Sequence, residues 1–178
     1  MARLRAVGVA GAVERVRSDL AAVRFHASAT DGERPIIAVI GGTGTGKSTI
    51  VNRLLDADVT AASFRRTFTA GPIAVTADPK QLPDSWLAVP HEAAAETPAR
   101  GHIGALLVAT LDTPLTKKIT LVDTPDLDGD QPAHHAQAER VFRWASAVLF
   151  LVTPEKYQMT ELPPYYRLRI GTACRRGS

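Results

Sequence analysis

Residues 36–55 read IIAVIGGTGTGKSTIVNRLL, and three kinds of chain follow one another within them. Ile36–Ile40 is short, apolar and β-branched without alternation, as expected of a strand buried on both faces. Gly41–Gly46 is a glycine-rich turn. Lys47–Leu55 then carries Ile50, Val51, Leu54 and Leu55 at helical spacing. A strand, a glycine loop and a helix in that order make the first unit of an α/β fold.

Within this unit, Gly41-Gly42-Thr43-Gly44-Thr45-Gly46-Lys47-Ser48 fits the spacing G-x-x-x-x-G-K-[ST]. Glycines reach backbone angles that other residues avoid and leave room for phosphate oxygens. Successive backbone N–H groups turn inward as an anion nest, and the helix that opens there adds the positive end of its dipole. Lys47 reaches the β- and γ-phosphates, and Ser48 offers a hydroxyl to Mg²⁺. The expected binding set is Gly41, Gly42, Thr43, Gly44, Thr45, Gly46, Lys47, Ser48 and Thr49, with a nucleoside triphosphate as ligand and Mg²⁺ as cofactor. A glycine turn with a stray lysine is the alternative, but it does not explain why the match follows a buried strand and opens a helix.

Working outward, residues 2–28 have the pattern of a helix. Val9, Val13, Val16, Leu20 and Val23 recur at steps of four and three, with arginines on the other faces. The stripe is expected to pack on the chain's own core or on a partner segment. A short coiled-coil seam and a helix lying on a membrane are the weaker alternatives. Pro72–Val75, Trp86–Val89, Ala105–Thr110, Ile119–Val122 and Ala147–Val152 read as strands, and Ala133–Ala145 as a helix. Residues 58–72 and 123–132 read as loops, His91–His102 as irregular or partly helical, and Thr116–Ile119 as a hairpin turn. Strands alternating with helices predict an α/β domain with a mostly parallel sheet. The expected organisation is an amphipathic helix over 1–30, that domain over 35–170 and an irregular tail over 171–178.

Composition bounds the rest. A hydrophobic share of 45% is that of a globular domain, and a net charge of +3 is too mild to single out RNA or an acidic membrane surface as partner. Cys174 is the sole cysteine, so no disulfide framework forms within the chain. Glu14 and Asp19 interrupt any apolar run near the start, which argues against a signal peptide. No stretch approaches the roughly 20 apolar residues of a membrane span. A cytoplasmic location, at most peripheral to a membrane, is the expectation.

A second signal is Thr120-Leu121-Val122-Asp123-Thr124-Pro125-Asp126. An acidic residue at the carboxyl end of a buried strand sits where open α/β sheets bind ligands, and Asp123 there is placed to hold Mg²⁺. With the glycine loop, this segment resembles GTPases of the translation-factor-related class, nearest to bacterial Era-like and dynamin-like GTPases. Asp123–Asp126 is similar to their D-x-x-G motif in the form D-x-P-D. Arg65-Arg66-Thr67-Phe68-Thr69-Ala70-Gly71-Pro72 resembles their first switch, and Thr153–Tyr157 a segment after their fourth core strand. The resemblance spans about residues 35–168 and implies a three-layer, Ras-like G domain with an extra N-terminal helix. It further implies that Thr69, with Thr67 as second choice, closes over magnesium and γ-phosphate. Lys47 and Thr69 are then the catalytic candidates, Ser48, Thr69 and Asp123 the metal ligands, and Asp123 and Asp126 additions to the nucleotide site.

Several positions depart from that pattern. Asp126 replaces the glycine whose N–H meets the γ-phosphate, and its carboxylate repels phosphate unless it turns away or meets the metal. Leu127 stands where many GTPases place a water-orienting glutamine, and Gly44 where some relatives place an asparagine that recruits potassium. Arg65 or Arg66 is placed to supply transition-state charge, although a solvated basic pair is the simpler reading. No [NT]-K-x-D motif follows Val152, and Lys156 in P-E-K-Y-Q-M does not fit one. The expectation is a G domain incomplete on its C-terminal side, from a truncated frame or as the first part of a larger protein, with Ala147–Val152 exposed at the sheet edge. His102, Asp130, His134 and His135 fit no metal template and are expected at the surface. Trp86 and Trp144 are expected in the core, and Tyr165-Tyr166 beside Arg167 and Arg169 at a helix end rather than on RNA.

The resulting functional expectation is a GTP-binding switch with slow, magnesium-dependent hydrolysis, partnered by nucleotide and by a homodimer or downstream domain. A nucleotide-binding scaffold without hydrolysis is the alternative. A P-loop ATPase or kinase is weaker still, since no acceptor-binding feature is evident.

Overall fold

Strand β1 (Ile36–Gly41) lies between two parallel neighbours in a six-stranded sheet. The computed structural model describes residues 2–28, 34–61, 70–127 and 132–155. Its elements run α1 (Ala2–Ser28), β1, α2 (Lys47–Leu55), β2 (Ile73–Thr76), β3 (His91–Ala93), β4 (Leu106–Thr110), β5 (Thr120–Asp123), α3 (Pro132–Trp144) and β6 (Ala147–Leu151), with two short 3₁₀ turns before β3. The strand order is β3-β4-β2-β5-β1-β6. Only β2 against β5 is antiparallel. This is the expected α/β fold with a mostly parallel sheet.

Both faces of the sheet are covered, which is why β1 shows no alternation in sequence. Ile36, Ala38 and Ile40 join a cluster with Trp86, Leu106, Val122, Val141 and Trp144 on the α3 side. Val39 packs with Val51, Leu55, Ile73 and Leu121 on the α2 side. Trp86 and Trp144 are core residues, and the Trp86 indole N–H donates to the Trp144 carbonyl at 3.1 Å.

Four local expectations need correction. Trp86–Val89 is not a strand: Trp86–Ala88 is a 3₁₀ turn held by Ala88 N–H to Ser85 O at 3.0 Å. A short apolar run looks the same whether it is buried as strand or as turn. His91–Ala93, taken as irregular, pairs in parallel with β4 as an edge strand, where the exposed Glu92 is tolerated. Thr116–Ile119 is a turn but closes no hairpin, because β2 lies between β4 and β5.

The fourth correction concerns α1. Of the two faces expected to cover its stripe, the chain's own core is ruled out for Val13, Val16, Leu20 and Val23, which are exposed, Val16 at 57% and Val23 at 64%; a partner segment stays the other expectation. The helix docks through the other side, with Ala22 and Phe25 on the α3 cluster and the Phe25 ring 5.4 Å from that of Trp144. An Asp19–Arg143 ion pair and a contact from His26 Nε2 to the Arg143 carbonyl at 2.9 Å fix that side. At the other end of the chain, β6 pairs only with β1 among the described residues, and Leu149 is 39% exposed.

Candidate functional site

The carboxyl ends of β1 and β5 meet at one edge of the sheet. Their parallel register sets Val39 opposite Asp123, so β1 runs two residues further into the glycine loop while β5 stops at the carboxylate. This is the position where open parallel sheets bind ligands. The Thr124 hydroxyl donates to Val39 O at 2.8 Å and the Leu127 N–H to Gly41 O at 3.2 Å, which bind the two loops together.

The glycine loop is shaped by its backbone angles and by bonds to Gly42 O. Gly44 and Gly46 have φ of +73° and +83°, angles that an L side chain rarely adopts. Gly46 is the N-cap of α2 without any side-chain cap, so the first-turn N–H groups keep their donor capacity for an anion. Gly41 is close to its surroundings: a Cβ there would lie 2.4 Å from Leu151 O, on β6. Gly42 O gathers the loop, accepting from the Thr45 hydroxyl at 2.8 Å and from Lys47 Nζ at 3.0 Å. Lys47 is buried at the start of α2, where its ammonium also forms an ion pair with Asp126 Oδ1.

Asp123 is wholly buried, and neither carboxylate oxygen accepts a well-formed hydrogen bond. Burial pushes its pKa above the usual carboxylate range; the Ser48 and Thr60 hydroxyls and the Lys47 charge offset part of this, and Asp126 adds to it. Such an unpartnered buried carboxylate is costly in a fold that serves structure alone. It fits a hard cation. Magnesium is usually held by one or two protein oxygens together with ligand phosphates rather than by a full protein cage. Ser48 and Asp123 would supply those oxygens. Elsewhere, among the described residues, no group of three or more His, Cys, Asp or Glu side chains could hold a metal. His102 pairs with Glu92 at 3.1 Å on the surface, as expected of a surface histidine, whereas His134 is buried.

Two residues at the site had no sequence signal of their own. Asn52, buried on α2, accepts from the N–H groups of Val59 and Thr60 at 3.0 and 2.9 Å, and its amide donates to Thr60 O at 2.8 Å. That clamp holds Thr60 beside Asp123, a few residues before the Arg65–Pro72 stretch that resembles a first switch. A polar residue on the apolar side of a short helix was the one available clue. Just after that stretch, Ile73 of β2 pairs with Asp123. Arg65, Arg66, Thr67 and Thr69 lie outside the described residues, as do Asp130, Lys156, the Tyr165–Arg169 stretch and Cys174. Leu127 is fully buried and brings no polar group to the site.

Comparison with known proteins follows this geometry. No curated protein matches the chain. Among solved structures, one similar chain belongs to the structure described as "An oligomerised bacterial dynamin pair provides a mechanism for the long-range sensing and tethering of membranes". It is 17% identical with a TM-score of 0.36, over 70% of this chain and 22% of that one. The sequence pattern of the family described as 50S ribosome-binding GTPase matches residues 36–167, which include the glycine loop, Asp123 and every strand of the sheet. The chain belongs to that GTPase family.

Proposed function

We propose that the chain is a GTP-binding switch with slow, magnesium-dependent hydrolysis. The loop Gly41–Ser48 holds the phosphates, Thr49 extends the contact along α2, and Ser48 and Asp123 hold Mg²⁺. Thr69 senses the γ-phosphate. The observation that carries this reading is Asp123, buried with both oxygens unpaired at the mouth of a glycine loop that leaves its helix N-terminus uncapped. When bound, magnesium supplies positive charge against the phosphates. The chain's own part is to position: the loop amides orient the phosphates, Lys47 balances their charge, and Asn52 with Thr60 shapes the wall beside Asp123.

Leu127 supports the slow rate. A fully buried leucine at the position after Asp126 cannot orient an attacking water. Multiple-turnover hydrolysis by the isolated chain is expected below about 1 s⁻¹, the low end of ordinary enzyme turnover. The Lys47–Asp126 ion pair favours a second reading, a nucleotide-binding module without hydrolysis. A location in the cytoplasm accords with both, and no described helix is long and apolar enough to cross a membrane.

Competition of GTP, GDP and ATP against a fluorescent nucleotide, followed by a phosphate-release assay, tests these readings. Preference for GTP and GDP with slow phosphate release supports the switch, and binding without release supports the module. Preference for ATP would return the ATPase reading. Lys47→Ala is expected to abolish binding in the same assay, and unchanged affinity would refute the site.

A further inference from the structure

The lysine of the phosphate loop is already engaged. Lys47 Nζ donates to Gly42 O at 3.0 Å and is ion-paired with Asp126 Oδ1, and the two side chains are only 6% and 14% exposed. A carboxylate on a buried ammonium fills the electrostatic place of a phosphate oxygen. The backbone around Asp126 is held on both sides, by Thr124 to Val39 and by Leu127 to Gly41, and the Leu127 side chain is fully buried. The side chain of Asp126 can rotate, but its backbone is anchored beside the loop.

We propose that Asp126 is an intramolecular competitor for the nucleotide phosphates: its carboxylate holds Lys47 while the site is free and must release it before phosphate binds. This rests on the phosphate-site reading above. Once a phosphate meets Lys47, Asp126 faces a second anion across a short distance, with the buried Asp123 close by. Like charges in so poorly hydrated a setting repel strongly. Asp126 therefore sets the affinity of the site. The penalty grows with the negative charge of the ligand, so pyrophosphate and metal-free nucleotide are resisted most.

A purely structural ion pair predicts the opposite change in binding. Removing its carboxylate would strand the Lys47 charge and weaken both the fold and phosphate binding. The test uses the full chain and measures affinity for GTP, GDP and inorganic pyrophosphate, each with excess Mg²⁺ and in EDTA. The wild type is compared with Asp126→Asn, Asp126→Gly and the exposed-site control Asp112→Asn. Competition predicts that either Asp126 variant binds pyrophosphate and metal-free GDP at least about tenfold tighter, the ratio equivalent to 1.4 kcal/mol. Its ligand-free melting temperature falls, and the control matches the wild type. Two variants are used so that one folded protein suffices. Equal or weaker binding by a folded Asp126 variant overturns the proposal while leaving the phosphate site standing. If neither wild type nor variants bind any phosphate ligand, the site reading itself has failed and the proposal with it.

Discussion

At the scale of single residues, Asp123 carries a clear cost in stability. Its carboxyl is buried without a well-formed hydrogen bond, and burial raises its pKa above the usual carboxylate range. The native state therefore holds this proton to higher pH than the unfolded state does. Stability from this group is fully present below the unfolded pKa and is lost as pH rises through the raised folded one. Asp123→Asn removes the charge and keeps the shape. In EDTA near neutral pH it is expected to raise the melting temperature by about 2–4 °C, the equivalent of ~1 kcal/mol in a chain of this size. It should also flatten the fall in stability that sets in as pH rises past the unfolded carboxylate pKa, and weaken magnesium-dependent nucleotide binding. Thermal melts across pH, with and without Mg²⁺, read all three effects. A variant that melts lower in EDTA would mean that the carboxylate has a structural partner.

At the scale of elements, α2 does two jobs. Its first turn presents uncapped N–H groups to the loop, and its middle carries Asn52 into the wall formed by Val59 and Thr60. Asn52→Ala leaves the buried N–H and C=O of Thr60 without this partner, while the Val59 N–H keeps Ala57 O at 3.0 Å. The cost is expected to be about 3 kcal/mol, because buried groups left unsatisfied carry their desolvation penalty. The melting temperature should fall by about 6–12 °C. A loss of under about 2 °C would mean that water or a neighbour replaces the amide at little cost.

The elements also show where patterning was informative. α2 and the six-residue β1 follow directly from residues 36–55, since glycine at special backbone angles and helical apolar spacing are local properties. The turn at Trp86–Ala88 was not legible, because its conformation follows from where the two tryptophans meet. Neither was the Asn52 clamp, whose partners Val59 and Thr60 lie beyond the end of the helix that carries it.

At the scale of the molecule, the sheet is enclosed on both faces while α1 turns a valine stripe outward. Replacing an exposed member should leave the core untouched. Leu20→Asn, at 51% exposed, is expected to change stability by less than about 0.5 kcal/mol and nucleotide affinity not at all. A melt and the fluorescent-nucleotide titration check both, and a larger loss would place Leu20 against the domain after all.

The sequence by itself determined the phosphate loop, the buried strand before it, the helix after it and the acidic residue at the end of a second buried strand. Each of these is written in contiguous residues, through spacing, glycine freedom and unbroken apolar runs. It also marked Asp126 as a departure but left open whether its carboxylate turned away or met a metal. Only the tertiary structure decided that it meets Lys47, 79 positions away in the chain. The parallel register of β1 and β5, which sets Val39 opposite Asp123, brings their two loops to the same edge of the sheet. The pairing of a lysine with an aspartate from separate loops is a consequence of that register and of low exposure to water, neither of which a local pattern encodes.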